Sequence, residues 1–210
     1  RRIPFLYASS ASTYGSGKNG FIEGDQCEDA LNIYAFSKLA FDRYVRQMLP
    51  EAKSQVVGLK YFNVYGPQEH HKGKMASIVY QLYNQMKMNG YVKLFKGIDG
   101  YADGEQLRDF VYVKDLVKVN LWFWKNSAPS GIYNCGTGKA HTFKAVAETI
   151  IAHFNKGRIE YIDFPEVLKG KYQNYTQADL AKLEAAGYDG DFYPLEDAIR
   201  EYCEFLDAGG

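Results

Sequence analysis

Short apolar runs alternate with amphipathic stretches along almost the whole chain, and this alternation constrains the fold more than any other feature. The apolar runs are bounded by turn residues and predict strands at residues 3–7, 55–62, 91–95, 110–113, 131–135 and 159–162. The stretches between them predict helices at residues 33–49, 75–89, 113–124, 142–154, 176–186 and 195–206. Strands that alternate with helices favour an α/β fold with parallel strand pairs.

The overall composition narrows the class of protein. Lys and Arg number 25 and Asp and Glu also number 25, so the formal net charge is zero and a nucleic-acid binder is disfavoured. No apolar run approaches the roughly 18 residues of a membrane span, and the opening residues run straight into a strand rather than a signal peptide. The three cysteines, Cys27, Cys135 and Cys203, stand far apart, which argues against a disulfide framework or a zinc site. We therefore expect a cytoplasmic protein without membrane or nucleic-acid partners.

The first predicted helix has clear ends and carries a chemically suggestive pair. Asn32 is a good N-cap and Pro50 a good stop. Tyr34 and Lys38 lie four residues apart and share one helical face. An ammonium beside a phenol favours the phenolate, which suits a tyrosine to act as acid or base near neutral pH; a plain surface pair is the alternative. The apolar stripe at helical spacing is Ile33, Phe36, Ala40, Tyr44 and Met48.

Two serines follow the first predicted strand. Ser9 and Ser10 stand at its carboxyl end, where open α/β sheets bind their ligands. The Ser10 hydroxyl is therefore a candidate hydrogen-bond partner for a substrate oxygen. A capping or turn serine is the alternative for this position.

These features, in this order, resemble the extended short-chain dehydrogenases/reductases, the family of nucleotide-sugar epimerases and dehydratases. The matching stretches are FLYASS at 5–10, YAFSK at 34–38, YFNVYGP at 61–67 and RDFVYV at 108–113. Within this family the chain most resembles the ADP-heptose 6-epimerases, through HKG at 71–73, MAS at 75–77, LKGKYQ at 168–173 and TQAD at 176–179. The resemblance runs nearly from end to end.

The resemblance implies a fold and a domain division. The fold would be α/β, the C-terminal half of a Rossmann-type parallel sheet plus a smaller α/β substrate-binding domain. Residues 1–68 would belong to the NADP-binding Rossmann domain and residues 69–210 mainly to the substrate-binding domain, with 108–125 returning to the first. The family's Gly-rich cofactor turn has no counterpart after the first strand, so we expect the chain to begin in the middle of the Rossmann domain. The GTG turn at 136–138 lacks the third glycine of that motif and is expected to be structural.

The resemblance also implies an activity. It implies epimerisation of an ADP-heptose at carbon 6 in lipopolysaccharide core synthesis, by transient oxidation with bound NADP, with NAD as the alternative cofactor. Tyr34 and Lys72 would be the two acid/base groups, and Ser10 would bond the reacting oxygen. Lys38 would hold the nicotinamide ribose, and Val64 and Lys72 would add cofactor contacts. The family forms homo-oligomers, and a pentamer is expected.

Further substrate contacts are implied for a set of polar and aromatic residues. A guanidinium fits phosphate oxygens with two parallel hydrogen bonds, so Arg108 would bind the diphosphate; an ion pair with Asp109 or Asp115 is the alternative. The family usually has a small hydroxyl residue and a histidine where Lys74 and Gln81 stand here, and the loop at 99–106 looks longer. The full set is Ser10, Asn63, Lys74, Gln81, Phe95, Lys96, Gly97, Arg108 and Tyr172.

Other interpretations stay open at this level. A UDP-hexose 4-epimerase or another nucleotide-sugar enzyme would not need Lys72 as a second base, whereas in a 6-epimerase we expect Lys72 to be desolvated in the cleft. A non-catalytic sensor could bind a sugar nucleotide with the same fold. The adjacent His70 and His71 lack a third ligand at metal-binding spacing, so no metal is expected.

Overall fold

The computed structural model describes residues 3–168 and 172–210. The strands in that part of the chain are β1 (Phe5–Ser10), β2 (Val56–Tyr61), β3 (Asn63–Tyr65), β4 (Val92–Phe95), β5 (Leu107–Arg108), β6 (Phe110–Tyr112), β7 (Gly131–Cys135), β8 (His141–Thr142) and β9 (Ile159–Ile162). The α-helices are α1 (Ile33–Met48), α2 (Ile78–Asn89), α3 (Val113–Lys125), α4 (Phe143–Phe154), α5 (Ala181–Ala185) and α6 (Leu195–Asp207). Short 3₁₀ turns lie at Ala11–Tyr14, Leu49–Glu51, His70–Met75 and Glu166–Leu168. None of the described helices is long and apolar enough to cross a membrane.

The central sheet is wholly parallel, with its strands in the order β1–β2–β7. Ser9 lies opposite Lys60, and Lys60 lies opposite Asn134. Two further pairs, β3 with β6 and β4 with β9, are also parallel, and only the short β5–β8 pair among the described strands is antiparallel. The predicted α/β class with parallel strand pairs is confirmed.

The described chain builds two hydrophobic cores. The first lies between the central sheet and α3, and it buries Leu59, Phe123 and Tyr133. The second joins α2, α4 and α6, and it buries Leu82, Ile150 and Tyr202. The division into a cofactor domain and a substrate domain stays a prediction.

The buried face of α1 is not the predicted one. The helix has the predicted cap, because the Asn32 side chain accepts a hydrogen bond from the Ala35 amide at 2.8 Å. Its buried residues include Leu39 and Asp42. Asp42 can be buried because the sheet provides a cation and two hydroxyls for its carboxylate. Hydropathy therefore gave the wrong face, and the predicted stripe is exposed along its whole length: Ile33, Phe36, Ala40, Tyr44 and Met48.

Three element boundaries also differ from the predictions. The first strand runs on to Ser10, so both serines are part of the strand end. The second predicted helix begins only at Ile78, behind a 3₁₀ turn. The fifth helix is much shorter than residues 176–186, because tertiary bonds hold the preceding backbone: the Thr176 amide donates to the Leu107 carbonyl at 3.2 Å.

Candidate active site

A cleft of about 430 Å³ opens at the carboxyl ends of β1 and β2. Phe62 from the first core and Phe110 from the second both line it, so it lies where the two cores meet. Open α/β sheets bind ligands at this edge. The cleft gathers six of the predicted site residues: Ser10, Tyr34, Lys38, Asn63, Val64 and Lys72.

Tyr34 and Lys38 stand in the first part of α1, beside the end of β1. The Lys38 ammonium lies 5.9 Å from the centre of the Tyr34 ring and donates to the Ala8 carbonyl oxygen at 2.9 Å. That bond ties the helix to the strand and leaves two N–H donors of Lys38 for other partners. Tyr34 is 57% exposed, so a ligand reaches it without disturbing the core.

Ser10 caps the 3₁₀ turn that follows β1, as the alternative interpretation of this residue expected. Its hydroxyl oxygen accepts from the Ser12 amide at 3.2 Å, and its carbonyl accepts from the Thr13 hydroxyl at 2.8 Å. The bond from Ser12 uses only a lone pair of the hydroxyl. The Ser10 O–H can therefore still donate into the cleft that it lines.

Lys72 lies on the 3₁₀ turn His70–Met75, which a buried carboxylate anchors. Glu69, at the start of this turn, accepts from the Ser77 amide at 2.7 Å, from the Ser77 hydroxyl at 2.6 Å and from the Tyr202 hydroxyl at 3.0 Å. Lys72 lines the cleft but is exposed, so the expectation of a desolvated lysine is wrong: the turn lies at the surface. Within the described residues its ammonium has no ion-pair partner, and it is free to meet a ligand.

A second cavity of about 250 Å³ adjoins the first, because Ile78 and Phe143 line both. Its walls are mainly apolar and aromatic, with a few amide side chains. Such walls fit a flat, partly polar group like a nucleotide base. Three predicted substrate-binding residues line it: Gln81, Phe95 and Tyr172.

Arg108 is buried beside the second cavity. Its guanidinium lies 4.8 Å from the ring centre of Tyr172 and 5.7 Å from that of Phe143, both of which line the cavity. It donates to the Leu107 carbonyl at 2.9 Å, and no carboxylate among the described residues pairs with it. Burial holds the pKa of this guanidinium below its ordinary value, although the neighbouring Tyr172 acts in the opposite direction. A buried cation that lacks a carboxylate partner suits an anionic ligand.

The turn at 136–138 is filled by a side chain of the protein. The Asp109 carboxylate accepts from the amides of Thr137 at 2.8 Å, Gly138 at 2.9 Å and Ala178 at 3.0 Å, and from the Thr137 hydroxyl at 2.7 Å. Backbone amides of this kind are what a bound phosphate would need. The structural role predicted for this turn is confirmed, and Asp109 is engaged away from Arg108.

Besides Arg108, which is buried behind the wall of the second cavity, three predicted substrate-binding residues line neither cavity. The Lys96 ammonium pairs with Asp163 at 2.8 Å. The Gly97 amide donates to Asp103 at 2.8 Å. Lys74 is exposed on the turn that carries Lys72. Within residues 3–168 and 172–210, His70 and His71 included, no three side chains that bind metals lie together.

A buried charge cluster beneath the cleft escaped the sequence analysis. Lys60 is fully buried on β2, and its ammonium contacts Asp42 at 2.6 Å and Glu28 at 2.9 Å. Arg46 completes the cluster with bonds of 2.6 and 2.8 Å to Glu28. Burial raises the pKa of Glu28, but Arg46 and Lys60 lower it by more, so it lies below its ordinary value. The available signal was a lysine inside an otherwise apolar strand, because a buried ammonium needs partners.

Comparisons with known proteins agree with the fold. The sequence model of the NAD dependent epimerase/dehydratase family matches residues 1–136, and the chain belongs to this family. It is 56% identical over 204 residues to the ADP-L-glycero-D-manno-heptose-6-epimerase of Alkalilimnicola ehrlichii, covering 97% of this chain and 63% of that protein. The family resemblance drawn from the motifs is confirmed.

Two solved structures share the fold. The crystal structure of the Helicobacter pylori ADP-L-glycero-D-manno-heptose-6-epimerase matches with a TM-score of 0.83 and 34% identity, over 97% of this chain and 60% of that one. The Thermus thermophilus UDP-glucose 4-epimerase in complex with NAD matches with a TM-score of 0.80 and 25% identity, over 99% and 65%. The chain thus spans less than two thirds of the length of each of these relatives.

Proposed function

We propose that this chain belongs to an enzyme that converts ADP-D-glycero-D-manno-heptose to its L-glycero epimer by inverting carbon 6. One observation carries the proposal: a single cleft gathers Ser10, Tyr34, Lys38 and Lys72 in a chain 56% identical to a named 6-epimerase. Inversion by oxidation and reduction needs one group that takes a proton from the oxygen and one that returns it. The cleft offers a phenol and an ammonium for these tasks.

Tyr34 and Lys72 would divide the acid/base work. Tyr34, whose ring centre lies 5.9 Å from the Lys38 ammonium, would take the proton of the C6 hydroxyl while Ser10 donates a hydrogen bond to the same oxygen. After the keto sugar turns over in the cleft, the Lys72 ammonium would give a proton to the oxygen. Both groups are exposed, so both can exchange protons with solvent between turnovers.

The rim of the cleft suits a nicotinamide ribose. Lys38 has two unused N–H donors, Tyr34 has a hydroxyl, and Val64 adds an apolar wall. A bound nicotinamide would supply the hydride acceptor and donor for carbon 6. We propose NADP as this cofactor, with NAD as the alternative that the family's name and the complex of the 4-epimerase support.

The adjoining cavity suits the nucleotide part of the substrate. Arg108 provides a buried positive charge behind the rings of Tyr172 and Phe143, where a diphosphate would restore charge balance. The aromatic walls and the Gln81 amide suit an adenine ring. Asn63, which lines the first cleft, would contact the sugar.

Several broader expectations belong to this proposal. Residues 1–68 would contribute to the NADP-binding domain and residues 69–210 mainly to the substrate domain. The enzyme would act in the cytoplasm as a homo-oligomer, a pentamer by resemblance, in lipopolysaccharide core synthesis. The names of the A. ehrlichii and H. pylori relatives support this assignment.

The direct test presents the holoenzyme with ADP-D-glycero-D-manno-heptose and, separately, with UDP-glucose. NMR of the sugar would follow inversion at carbon 6 or carbon 4. We expect the heptose to be inverted at carbon 6 and UDP-glucose to be left unchanged, with Tyr34→Phe as the inactive control. Turnover of UDP-glucose alone would indicate a 4-epimerase, and binding of ADP-heptose without turnover would indicate a sensor.

A further inference from the structure

We propose that Asp42, held by Lys60, is a positioning residue that sets the Ser10 hydroxyl relative to the Tyr34 phenol. The proposal rests on the function proposed above and deepens it. Asp42 and Lys60 are fully buried, and neither is among the described residues that line the cleft. Any influence on the reaction must therefore pass through groups that touch the substrate.

The Asp42 carboxylate connects α1, which carries Tyr34, to β1, which ends at Ser10. Asp42 lies one turn after Lys38 on α1 and accepts from the Ser9 hydroxyl at 2.6 Å and from the Tyr7 hydroxyl at 2.9 Å. Tyr7 and Ser9 are two residues apart and thus share one face of β1. Lys38 donates to the carbonyl of Ala8, which lies between them, so two successive turns of α1 are hydrogen-bonded to the last residues of β1.

Lys60 connects the same cluster to the segment that follows the strand end. Its three N–H donors have partners in three different segments, because besides Asp42 and Glu28 it donates to the Thr13 hydroxyl at 2.7 Å. The Thr13 hydroxyl in turn donates to the Ser10 carbonyl at 2.8 Å. One hydroxyl therefore separates the buried ammonium from the backbone of Ser10.

The buried charge cluster fixes the positions of its members more than it stabilises the fold. Two carboxylates and the Lys60 ammonium are taken out of water here and Arg46 is partly so, and the cost of desolvation offsets much of the attraction within such pairs. What the cluster does provide is direction, because each bond has a fixed length and angle. The sheet leaves room for it at Gly58, where a side chain would collide with the phenol of Tyr7 that bonds Asp42.

The first test is Asp42→Asn in the holoenzyme, a change that keeps the shape and removes the charge. A small displacement of reacting groups can cost on the order of a hundredfold in rate, so we expect kcat to fall at least about tenfold while KM for ADP-heptose stays within about threefold. Asp115→Asn is the matched control, since Asp115 is also fully buried and bonds Lys118 at 2.9 Å away from the cleft. Its kcat should stay within about twofold of the wild type.

A double-mutant cycle with Ser10→Ala separates positioning from general destabilisation. If Asp42 acts through Ser10, then Asp42→Asn should cost less than about threefold in kcat once the Ser10 hydroxyl is gone. A merely structural role would give the same fold loss in both backgrounds. Equal losses, or an Asp42→Asn enzyme within twofold of wild type, would overturn the proposal.

Ser9→Ala decides the matter if Asp42→Asn does not fold. It removes a single hydroxyl from the cluster, and we expect a melting temperature within a few degrees of wild type and a kcat lowered about three- to tenfold. An unchanged kcat would count against positioning. Failure of the proposed function would instead appear in the wild type, as an absence of ADP-heptose turnover.

Discussion

Replacing Arg108 with methionine should weaken nucleotide binding far more than it weakens the fold. Arg108 is 5% exposed, and its guanidinium lies against the rings of Tyr172 and Phe143 and has no carboxylate partner among the described residues. Methionine keeps an unbranched side chain of similar reach and removes the charge. The loss therefore falls on whatever anion the guanidinium is placed to meet.

The magnitude follows from the number of bonds at stake. Two charge-assisted hydrogen bonds to a diphosphate contribute about 3–5 kcal/mol together, so the Kd for ADP should rise about a hundred- to a few-thousand-fold. Without ADP, the variant loses one bond to the Leu107 carbonyl and the cation–π contacts but is relieved of a desolvated charge. We expect the free energy of unfolding to change by less than about 2 kcal/mol.

The assay is calorimetric titration of the holoenzyme with ADP, paired with urea unfolding. Arg158→Met is the control, because Arg158 also lies over a tyrosine, 5.0 Å from the Tyr91 ring centre, but Tyr91 lines neither cavity, whereas Tyr172 lines the second. ADP affinity that is unchanged in Arg108→Met would refute the diphosphate role. Loss of about 3–5 kcal/mol of stability without ADP would show that Arg108 mainly stabilises the fold.

Three further changes test other parts of the structure. Tyr34→Phe should lower kcat about 10²–10⁴-fold with substrate binding retained, and steady-state kinetics that stay within threefold of wild type would make Tyr34 structural. Because the pKa of Glu28 is lowered in the fold, its contribution is fully present above about pH 4.5 and is lost as the pH falls through the lower folded value. Glu28→Gln should thus flatten the acid limb of stability in urea unfolding between pH 7 and pH 3, and an unchanged limb would contradict this. Gly58→Ala should lower the free energy of unfolding by about 1–3 kcal/mol, since the new methyl group meets the Tyr7 phenol; equal stability would show that the ring moves aside.

Where local signals agree with tertiary packing, the sequence predicts the fold well. β7 and β9 have the predicted bounds, because each is a short apolar run between turn residues. The Asn32 cap likewise defines the start of α1. The predicted helix at 176–186 shortens to α5, since the backbone amides at 176 and 178 donate hydrogen bonds to the Leu107 carbonyl and the Asp109 carboxylate instead of to a helical turn.

The residues that line the cleft could be predicted from the sequence, but the buried charge cluster beneath them could not. Tyr34, Lys38 and Ser10 are predicted from motifs at helix and strand ends, and Lys72 from the family resemblance alone; the fold brings all four to one cleft. The buried face of α1 was missed because it contains a charge, Asp42, whose partners come from distant segments. Hydropathy cannot anticipate a buried charge that only the assembled sheet neutralises.

The most direct test of the account is Lys72→Met in the holoenzyme, assayed with both C6 epimers of the ADP-heptose. In the two-base proposal, Tyr34 serves the oxygen on carbon 6 in one orientation of the keto sugar and Lys72 serves it in the other. Without the Lys72 ammonium, epimerisation should therefore fall at least about a hundredfold in both directions. Binding of ADP and of the cofactor should persist, because Lys72 is exposed and has no partner among the described residues. Lys53→Met, which removes an exposed lysine outside both cavities, should leave the rate unchanged. Epimerisation by Lys72→Met at near the wild-type rate would contradict the two-base reading and favour a one-base enzyme.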